Sequence, residues 1–195
     1  FMILKKKDQI IKIASILPYK ENYSKEKASA ASLWVSEFFK KSKFKKNNHI
    51  FGSTKSKNFL TKNYKNVKLD SLKSKFKSTT NEYVKKLKKL LSNNYEIIEI
   101  HNRPLILFEL IKNINFLFIF YFHNDPLSMK GSKTVKERLS IIRNTEKIIF
   151  VSEWTRARFF INIDKKLITK TEVVYPSVNK QKKIKKEKNI IFVGR

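Results

Sequence analysis

Cysteine is absent from this chain of 195 residues, and glycine and proline are scarce, with three and four residues respectively. Without thiols the chain can form neither disulfide bonds nor thiolate metal sites, and nothing in it favours an oxidising compartment. A reducing cytoplasm is therefore the expected location. Acidic residues are also few, with 16 against 44 lysines and arginines. The apolar fraction of 41% nevertheless predicts a folded globular protein.

A long uninterrupted apolar segment is missing as well. The longest apolar stretch, residues 104–122, carries Lys112 and three other polar residues near its middle. One lysine at the centre of a membrane-spanning helix costs roughly 2.5–3.5 kcal/mol, so this stretch is predicted to form a helix followed by a buried strand. The N-terminal segment does not resemble a secretory signal. Phe1 precedes Met2, which indicates the edge of a fragment.

The formal net charge of +28 is the most extreme feature of the composition. Such a charge is typical of nucleic-acid-binding proteins, whose affinity comes largely from phosphate contacts. However, only six of the 44 basic residues are arginine, and the lysines are spread along the whole chain, as an AT-rich coding sequence would produce. A surface this positive is also attracted to anionic membranes, at about 1 kcal/mol for each well-placed lysine.

Apolar, β-branched runs alternate along the chain with segments of helical periodicity. Strands that alternate with helices predict a parallel, doubly wound sheet, which is an α/β Rossmann-like fold. Ser24 is expected to cap the first helix. The expected strands are 10–17, 49–52, 96–101, 116–122, 147–151 and 172–175, and the expected helices are 31–41, 81–91, 104–114, 133–143 and 153–161.

Two polar stretches interrupt this alternation. Residues 53–80 are rich in lysine, serine and asparagine and are predicted to form an exposed, partly ordered excursion. Residues 177–188 are almost entirely polar and basic, which is typical of a linker. The expected organisation is an N-terminal domain at 1–176, a basic linker at 177–188, and the first strand of a second, truncated domain at 189–195.

Ligands of open parallel sheets bind at the carboxyl ends of the strands, so the polar residues just after each strand are the candidate site. After the first strand, Ser24, Lys25, Lys27 and Ala28 precede a helix whose N-terminal amides could hold a phosphate or an acceptor. This loop lacks glycine, and a simple capped connection is the alternative.

The segments HNRP and HNDP each place a histidine and an asparagine at the end of an apolar strand. The first contains His101 and Asn102, and the second contains His123 and Asn124. A histidine there could donate a hydrogen bond to a sugar hydroxyl. For His101 a hydrogen bond that locks the loop is an equal alternative, whereas for His123 a functional role is favoured.

Two further candidates follow later strands. Ser152 could touch a ligand, but capping of the next helix is the preferred interpretation. At the C-terminus, Gly194 permits close backbone approach and Arg195 offers donors that suit a diphosphate. The spacing of the three histidines and of the acidic residues indicates no catalytic triad, no paired carboxylates and no metal site.

Six segments, taken in their order along the chain, resemble family 4 of the retaining glycosyltransferases. They are KIASILPYKENYSKEKASAASLWVSEFF, YEIIEIHNRP, FIFYFHNDP, KIIFVSEWTRARF, EVVYPSVNK and IIFVGR. That family has two Rossmann-like domains that face each other across a cleft, the GT-B arrangement. The resemblance implies that His123 touches the donor sugar and that Arg195 binds the donor diphosphate. The glycines usual in the family's first loop are absent between Ser24 and Ser29.

The resemblance further implies a hexosyltransferase-like enzyme that moves a sugar from a nucleotide sugar to a hydroxyl acceptor without a metal or cofactor. A glycan or lipid-linked acceptor in cell-envelope polysaccharide or lipopolysaccharide synthesis is expected, and so is peripheral binding to the anionic inner face of the plasma membrane. No specific nucleic acid is expected as a partner. Because the second domain is missing, the fragment alone should be inactive.

Two other functions stay open. The lysine excess allows a basic nucleic-acid-binding protein, which would bind any duplex in a salt-sensitive manner. A non-catalytic membrane-surface protein with the same fold is the other alternative, because a fold does not fix a function.

Overall fold

The computed structural model describes residues 11–69, 78–91, 95–112 and 116–176. Seven strands and five α-helices lie in this part of the chain. The strands are β1 Ile13–Ile16, β2 Asn48–Gly52, β3 Tyr64–Asn66, β4 Ile97–His101, β5 Leu117–Phe122, β6 Lys147–Phe150 and β7 Thr171–Val173. The helices are α1 Ala30–Lys41, α2 Thr79–Leu91, α3 Pro104–Leu110, α4 Val135–Asn144 and α5 Glu153–Phe159, with 3₁₀ helices at Pro126–Ser128 and Lys165–Lys170.

All seven strands form one parallel sheet in the order β3-β2-β1-β4-β5-β6-β7. The chain runs outward from β1 through β2 to β3 and then returns to place β4 on the other side of β1. The carboxyl ends of β1 and β4 therefore form the topological switch point at which open α/β sheets bind ligands. This architecture confirms the α/β, Rossmann-like doubly wound sheet that the sequence predicts.

Side chains alternate between the two faces of each strand, and the two faces of this sheet differ in polarity. On one face, which we call the apolar face, alternate residues of the central strands are fully buried, such as Ile98, Ile100 and Phe120. This face packs against apolar helix side chains, among them Leu87 of α2 and Leu107 of α3, in the main core of the domain.

The opposite face, which we call the polar face, lies beneath α1. Val35 and Phe39 of α1 pack in a smaller apolar cluster with Leu17 and Ile50. Beside this cluster the strands present polar side chains to the helix, and these are also buried. They include Ser15, Asn48 and His101.

The start of α1 differs from the expectation. Ser29, not Ser24, is the N-cap, and its side chain accepts a hydrogen bond from the backbone N–H of Ser32. The prediction was wrong because Ser24 lies five residues before the cap, where it forms an antiparallel bridge with Phe59.

The predicted exposed excursion at 53–80 is wrong for its first part. Residues 64–66 form β3, the edge strand beside β2. Tyr64 is buried, its ring stacks on Tyr23 with centroids 4.7 Å apart, and its hydroxyl lies 2.9 Å from that of Thr54. A side chain on Gly52 would collide with this tyrosine, so the glycine creates the space that β3 fills. The contacts of Tyr64 with Tyr23 and Thr54 outweigh the polar composition on which the prediction was based.

Several expectations fall on residues that the structure does not describe. The linker at 177–188, the strand at 189–195, and Gly194 and Arg195 all lie outside the described residues. Within the described ranges, no helix has the length and apolar character needed to cross a membrane.

Candidate functional site

The polar face holds a half-buried carboxyl group at its centre. Glu99 projects from the middle of β4, and its two carboxyl oxygens meet the hydroxyls of Ser15 and Tyr121, the latter at 3.1 Å. Burial raises the pKa of Glu99, and the two hydroxyl contacts offset part of that effect. Ser15 also lies 3.2 Å from the side-chain oxygen of Asn48. The Ser15 hydroxyl carries a single proton, so it donates to only one of these two oxygens at a time.

Two histidines extend this polar layer to the carboxyl edge of the sheet. Nδ1 of His101, at the end of β4, lies 2.9 Å from Nε2 of His123, which directly follows β5. His101 stacks on Tyr121 with ring centroids 4.5 Å apart. Trp34 of α1 meets His123 edge-on at 5.0 Å. The helix therefore covers the histidine pair.

Both histidines are neutral at neutral pH. Burial lowers the pKa of His123 from 6.5 to about 4. Burial also lowers the pKa of His101 well below its ordinary value, and a charge on His123 would lower it further. A neutral pair shares one proton in its hydrogen bond, so one ring donates and the other accepts.

The surroundings of His101 indicate which ring donates. Its Nε2 is buried and has no hydrogen-bond partner among the described residues. A proton on Nδ1 of His101 leaves only a lone pair unsatisfied there, whereas a proton on Nε2 would bury an unpaired N–H group. With Nδ1 of His101 as the donor, Nε2 of His123 accepts and the proton of His123 resides on its own Nδ1. His123 is then a hydrogen-bond donor through that nitrogen.

Asn102 fixes the backbone that holds the two histidines. Its φ of 54° lies in the left-handed region, which asparagine tolerates better than most residues. Its side-chain oxygen accepts a hydrogen bond of 2.8 Å from the backbone N–H of His123, and its own N–H donates to the carbonyl of Tyr121 at 2.9 Å. Asn102, rather than His101, thus provides the hydrogen bond that locks the loop.

A polar pocket opens at the switch point beside these residues. It is formed by the loops that follow β1, β4 and β5, and the space between them, part of which is open to solvent, is about 560 Å³. The lining residues are Pro18, Glu21, Asn102, Arg103, Asn124, Ser128, Met129 and Lys130. The pocket combines amide, hydroxyl and charged groups, which can form hydrogen bonds to a polar ligand.

Arg103 supplies a positive charge to this pocket. Its guanidinium group lies 5.4 Å from the ring centroid of Tyr19, which follows β1. It forms no ion pair with the described residues, so its donors remain available to a ligand. Asp125, by contrast, is paired with Arg158, whose Nη2 lies 3.0 Å from Oδ2 of the aspartate. That contact lowers the pKa of Asp125 and fixes the loop after β5.

The other predicted site residues lie elsewhere. Ser24, Lys25, Lys27 and Ala28 do not line the pocket, and Ser24 is buried against the chain around Phe59. Ser152 caps α5 by accepting from the N–H of Thr155, which confirms the capping interpretation.

Sequence reasoning missed Glu99, Tyr121, Arg103 and Lys130. A charged residue in the middle of the apolar strand EIIEIH was the one available signal for Glu99. Arg103 was visible within HNRP, but Lys130 reaches the pocket only through the loop that follows β5.

No cluster of three or more histidine, aspartate or glutamate side chains suited to a metal ion occurs among the described residues. No protein-family model and no curated protein matches the chain. Among solved structures, a sucrose-phosphate synthase from Thermosynechococcus elongatus is similar, with a TM-score of 0.56 and 13% sequence identity. The match covers 85% of this chain and 48% of the synthase chain.

The fold is Rossmann-like, as in this GT-B glycosyltransferase. At 13% identity the likeness concerns the fold alone, and the chain spans about half the length of the enzyme that it matches.

Proposed function

We propose that this chain is the acceptor-side domain of a retaining glycosyltransferase of the family 4 kind. The observation that carries the proposal is His123, a half-buried and neutral hydrogen-bond donor beside a polar pocket at the switch point of a GT-B-like sheet. The enzyme would transfer a hexose from a nucleotide sugar to a hydroxyl group of an acceptor, with retention of the anomeric configuration.

The tautomer of His123 suits recognition of a donor sugar. A neutral imidazole that donates through Nδ1 can bind a sugar hydroxyl, and it does not place a positive charge beside the anomeric carbon as positive charge develops there. The low pKa of His123 keeps it in this state over the physiological pH range. In this proposal His123 binds and orients the sugar and transfers no proton.

The polar pocket suits a hydroxyl-rich acceptor. Asn102 and Asn124 offer amides that both donate and accept, and Ser128 offers a hydroxyl group. Arg103 and Lys130 outnumber the single acidic residue of the lining, Glu21, which favours an acceptor that also carries negative charge. A phosphorylated glycan or lipid-linked sugar of the cell envelope fits this chemistry.

Stabilisation of the departing nucleoside diphosphate would supply most of the catalysis. We assign that role to Arg195, with Gly194 allowing close approach, on the family resemblance of the terminal segment. Neither a metal nor a cofactor enters the proposed reaction.

The test is release of nucleoside diphosphate from a panel of nucleotide sugars by the longest reading frame that contains this chain. We expect His123→Ala to lower the rate at least tenfold, which corresponds to about 1.4 kcal/mol of transition-state stabilisation. His49→Ala is the matched control, because His49 lies on β2 and bonds to Tyr95 at 3.1 Å, away from the pocket. Equal losses in the two variants, or no release with any donor, would contradict the proposal.

A further inference from the structure

Lysines and exposed apolar side chains are concentrated on one surface at the end of α1. We call this the α1 surface, and it comprises Phe38, Lys40, Lys41, Lys43, Phe44, Lys45 and Lys46. Five of the seven residues at 40–46 are lysine, whereas lysine accounts for about one residue in five of the whole chain. A general excess of lysine therefore does not explain this density.

The apolar side chains of this surface are unusually exposed. Phe38 and Phe44 have exposed fractions of 46% and 45%. Full burial of one such side chain is worth about 1.5–3 kcal/mol, so their exposure forgoes a substantial stabilisation of the folded chain. Phe38 does not shield itself by folding back into the core but stacks on Trp34, with ring centroids 5.1 Å apart.

An ordered turn holds Phe44 outward. Its backbone N–H donates to the Ser42 side chain at 3.1 Å, and its carbonyl accepts from the N–H of Asn47 at 2.9 Å. The side chain of Asn63 donates to the carbonyl of Lys45 at 3.0 Å and ties the turn to the edge of the sheet. The exposure of Phe44 is therefore built into the backbone and does not result from a loose loop.

Negative charge on this surface is minimal. Glu37 is the only acidic residue between positions 30 and 47, and it is paired with Lys40 at 2.8 Å. The remaining lysines, Lys41, Lys43, Lys45 and Lys46, form no ion pair with any described residue. They present positive charge around the two phenylalanines.

We propose that the α1 surface docks the protein on an anionic phospholipid bilayer, with Phe38 and Phe44 inserted at the level of the headgroups. Lysines attract the acidic headgroups, and apolar side chains that already project from the surface enter the acyl boundary without unfolding. Nucleic acid fits less well, because the surface contains no arginine and lies along the outside of a helix rather than in a groove.

Docking on this surface would hold the candidate site close to the membrane. Trp34 touches Phe38 on one side and His123 on the other, at ring distances of 5.1 Å and 5.0 Å. The lipid-binding surface and the histidine pair thus share one helix. The inference stands whether or not the chain belongs to a glycosyltransferase.

The experiment is co-sedimentation of the purified chain with two kinds of vesicle, pure phosphatidylcholine and phosphatidylcholine mixed with phosphatidylglycerol. We expect binding to the mixed vesicles alone. Replacing Lys43 and Lys45 by glutamine should weaken it roughly 25-fold, at about fivefold for each lysine. Phe44→Ser should weaken it about tenfold through lost apolar contact and not through charge.

The matched control replaces Lys133 and Lys136, two exposed lysines at the start of α4, by glutamine. It removes the same charge but leaves the α1 surface unchanged, so binding should fall less than threefold, in line with long-range attraction alone. Equal losses from the two lysine pairs would overturn the proposal, since any lysine would then serve. Tighter binding to duplex DNA than to mixed vesicles at the same salt concentration, unaffected by Phe44→Ser, would overturn it in favour of nucleic acid.

Discussion

The two faces of the central sheet differ in what their side chains do for the protein. On β5, Phe120 and Phe122 point to the apolar face and their rings pack 4.6 Å apart in the main core. The residue between them, Tyr121, points to the polar face and donates a hydrogen bond to Glu99. One strand therefore builds the core with one set of residues and supports the candidate site with the other.

This difference shows where the fold gives up stability. Buried hydrogen bonds contribute only about 0.5–1.5 kcal/mol each, less than a well-packed apolar side chain contributes. A carboxyl group and two histidines that are wholly or partly buried are costly unless they are neutral and hydrogen-bonded. On the polar face these groups are hydrogen-bonded in a chain of contacts that ends at His123, and burial shifts the pKa of each toward its neutral form, so their cost is consistent with a functional role.

The largest expected effect comes from the apolar face. Phe120→Ala should lower the free energy of unfolding by about 3–5 kcal/mol, because it removes a fully buried ring and leaves a cavity. Tyr121→Phe, at the neighbouring position on the polar face, should cost only about 1–2 kcal/mol through loss of the hydrogen bond to Glu99. Urea denaturation of both variants measures the contrast. Equal costs would show that the two faces contribute alike.

The next effect is acid destabilisation through the histidine pair. Both histidines have a pKa below 6.5 in the folded state, so the unfolded chain binds protons more readily. The contribution of the neutral histidines to the free energy of unfolding is intact above about pH 6.5 and is lost as the pH falls through the His123 pKa of about 4. The loss for His123 alone is roughly 3 kcal/mol.

Replacement of His123 by asparagine should remove most of that loss. The measurement is the difference in unfolding free energy between the wild type and His123→Asn, taken from pH 7 to pH 4, so that the titration of other groups cancels. The difference should move in favour of the variant as the pH falls. A difference that stays constant with pH would mean that His123 is not held neutral by burial.

The contrast between the faces also explains which features were predictable from the sequence. The apolar face was predictable because runs such as LFIFYF and KIIF follow directly from burial on a parallel sheet, and the strand positions of β4, β5 and β6 were correct to within a residue. His101 and His123 were identified because the residues after a strand meet at one edge.

The contacts between separate segments were not predictable. Glu99, Tyr121 and Ser15 lie on three strands, and only the sheet register brings them together. The same holds for β3, whose three residues are set in place by Tyr23, Gly52 and Thr54 and not by their own polar composition. Local pattern determines whether a segment is a strand or a helix, whereas pairing determines which polar side chains become neighbours.

The smallest expected effect concerns Glu99 and has the opposite pH dependence to that of the histidines. Burial raises the pKa of this carboxyl group above 4.5, so the folded state favours its protonated form. The loss of stability caused by ionising this carboxyl group in the folded state is absent at pH values below 4.5 and grows as the pH rises through the folded-state pKa. Glutamine mimics the protonated acid, and it can donate to Ser15 and accept from Tyr121.

Glu99→Gln should therefore be within about 1 kcal/mol of the wild type below pH 4.5 and become relatively more stable as the pH rises. Urea denaturation at a series of pH values measures this trend, and Glu96→Gln is the control, because Glu96 lies on the same segment and accepts a bond from the exposed backbone N–H of Lys12. A relative stability that falls with rising pH would mean that Glu99 is ionised in the folded state. The polar face would then hold a negative charge beneath α1.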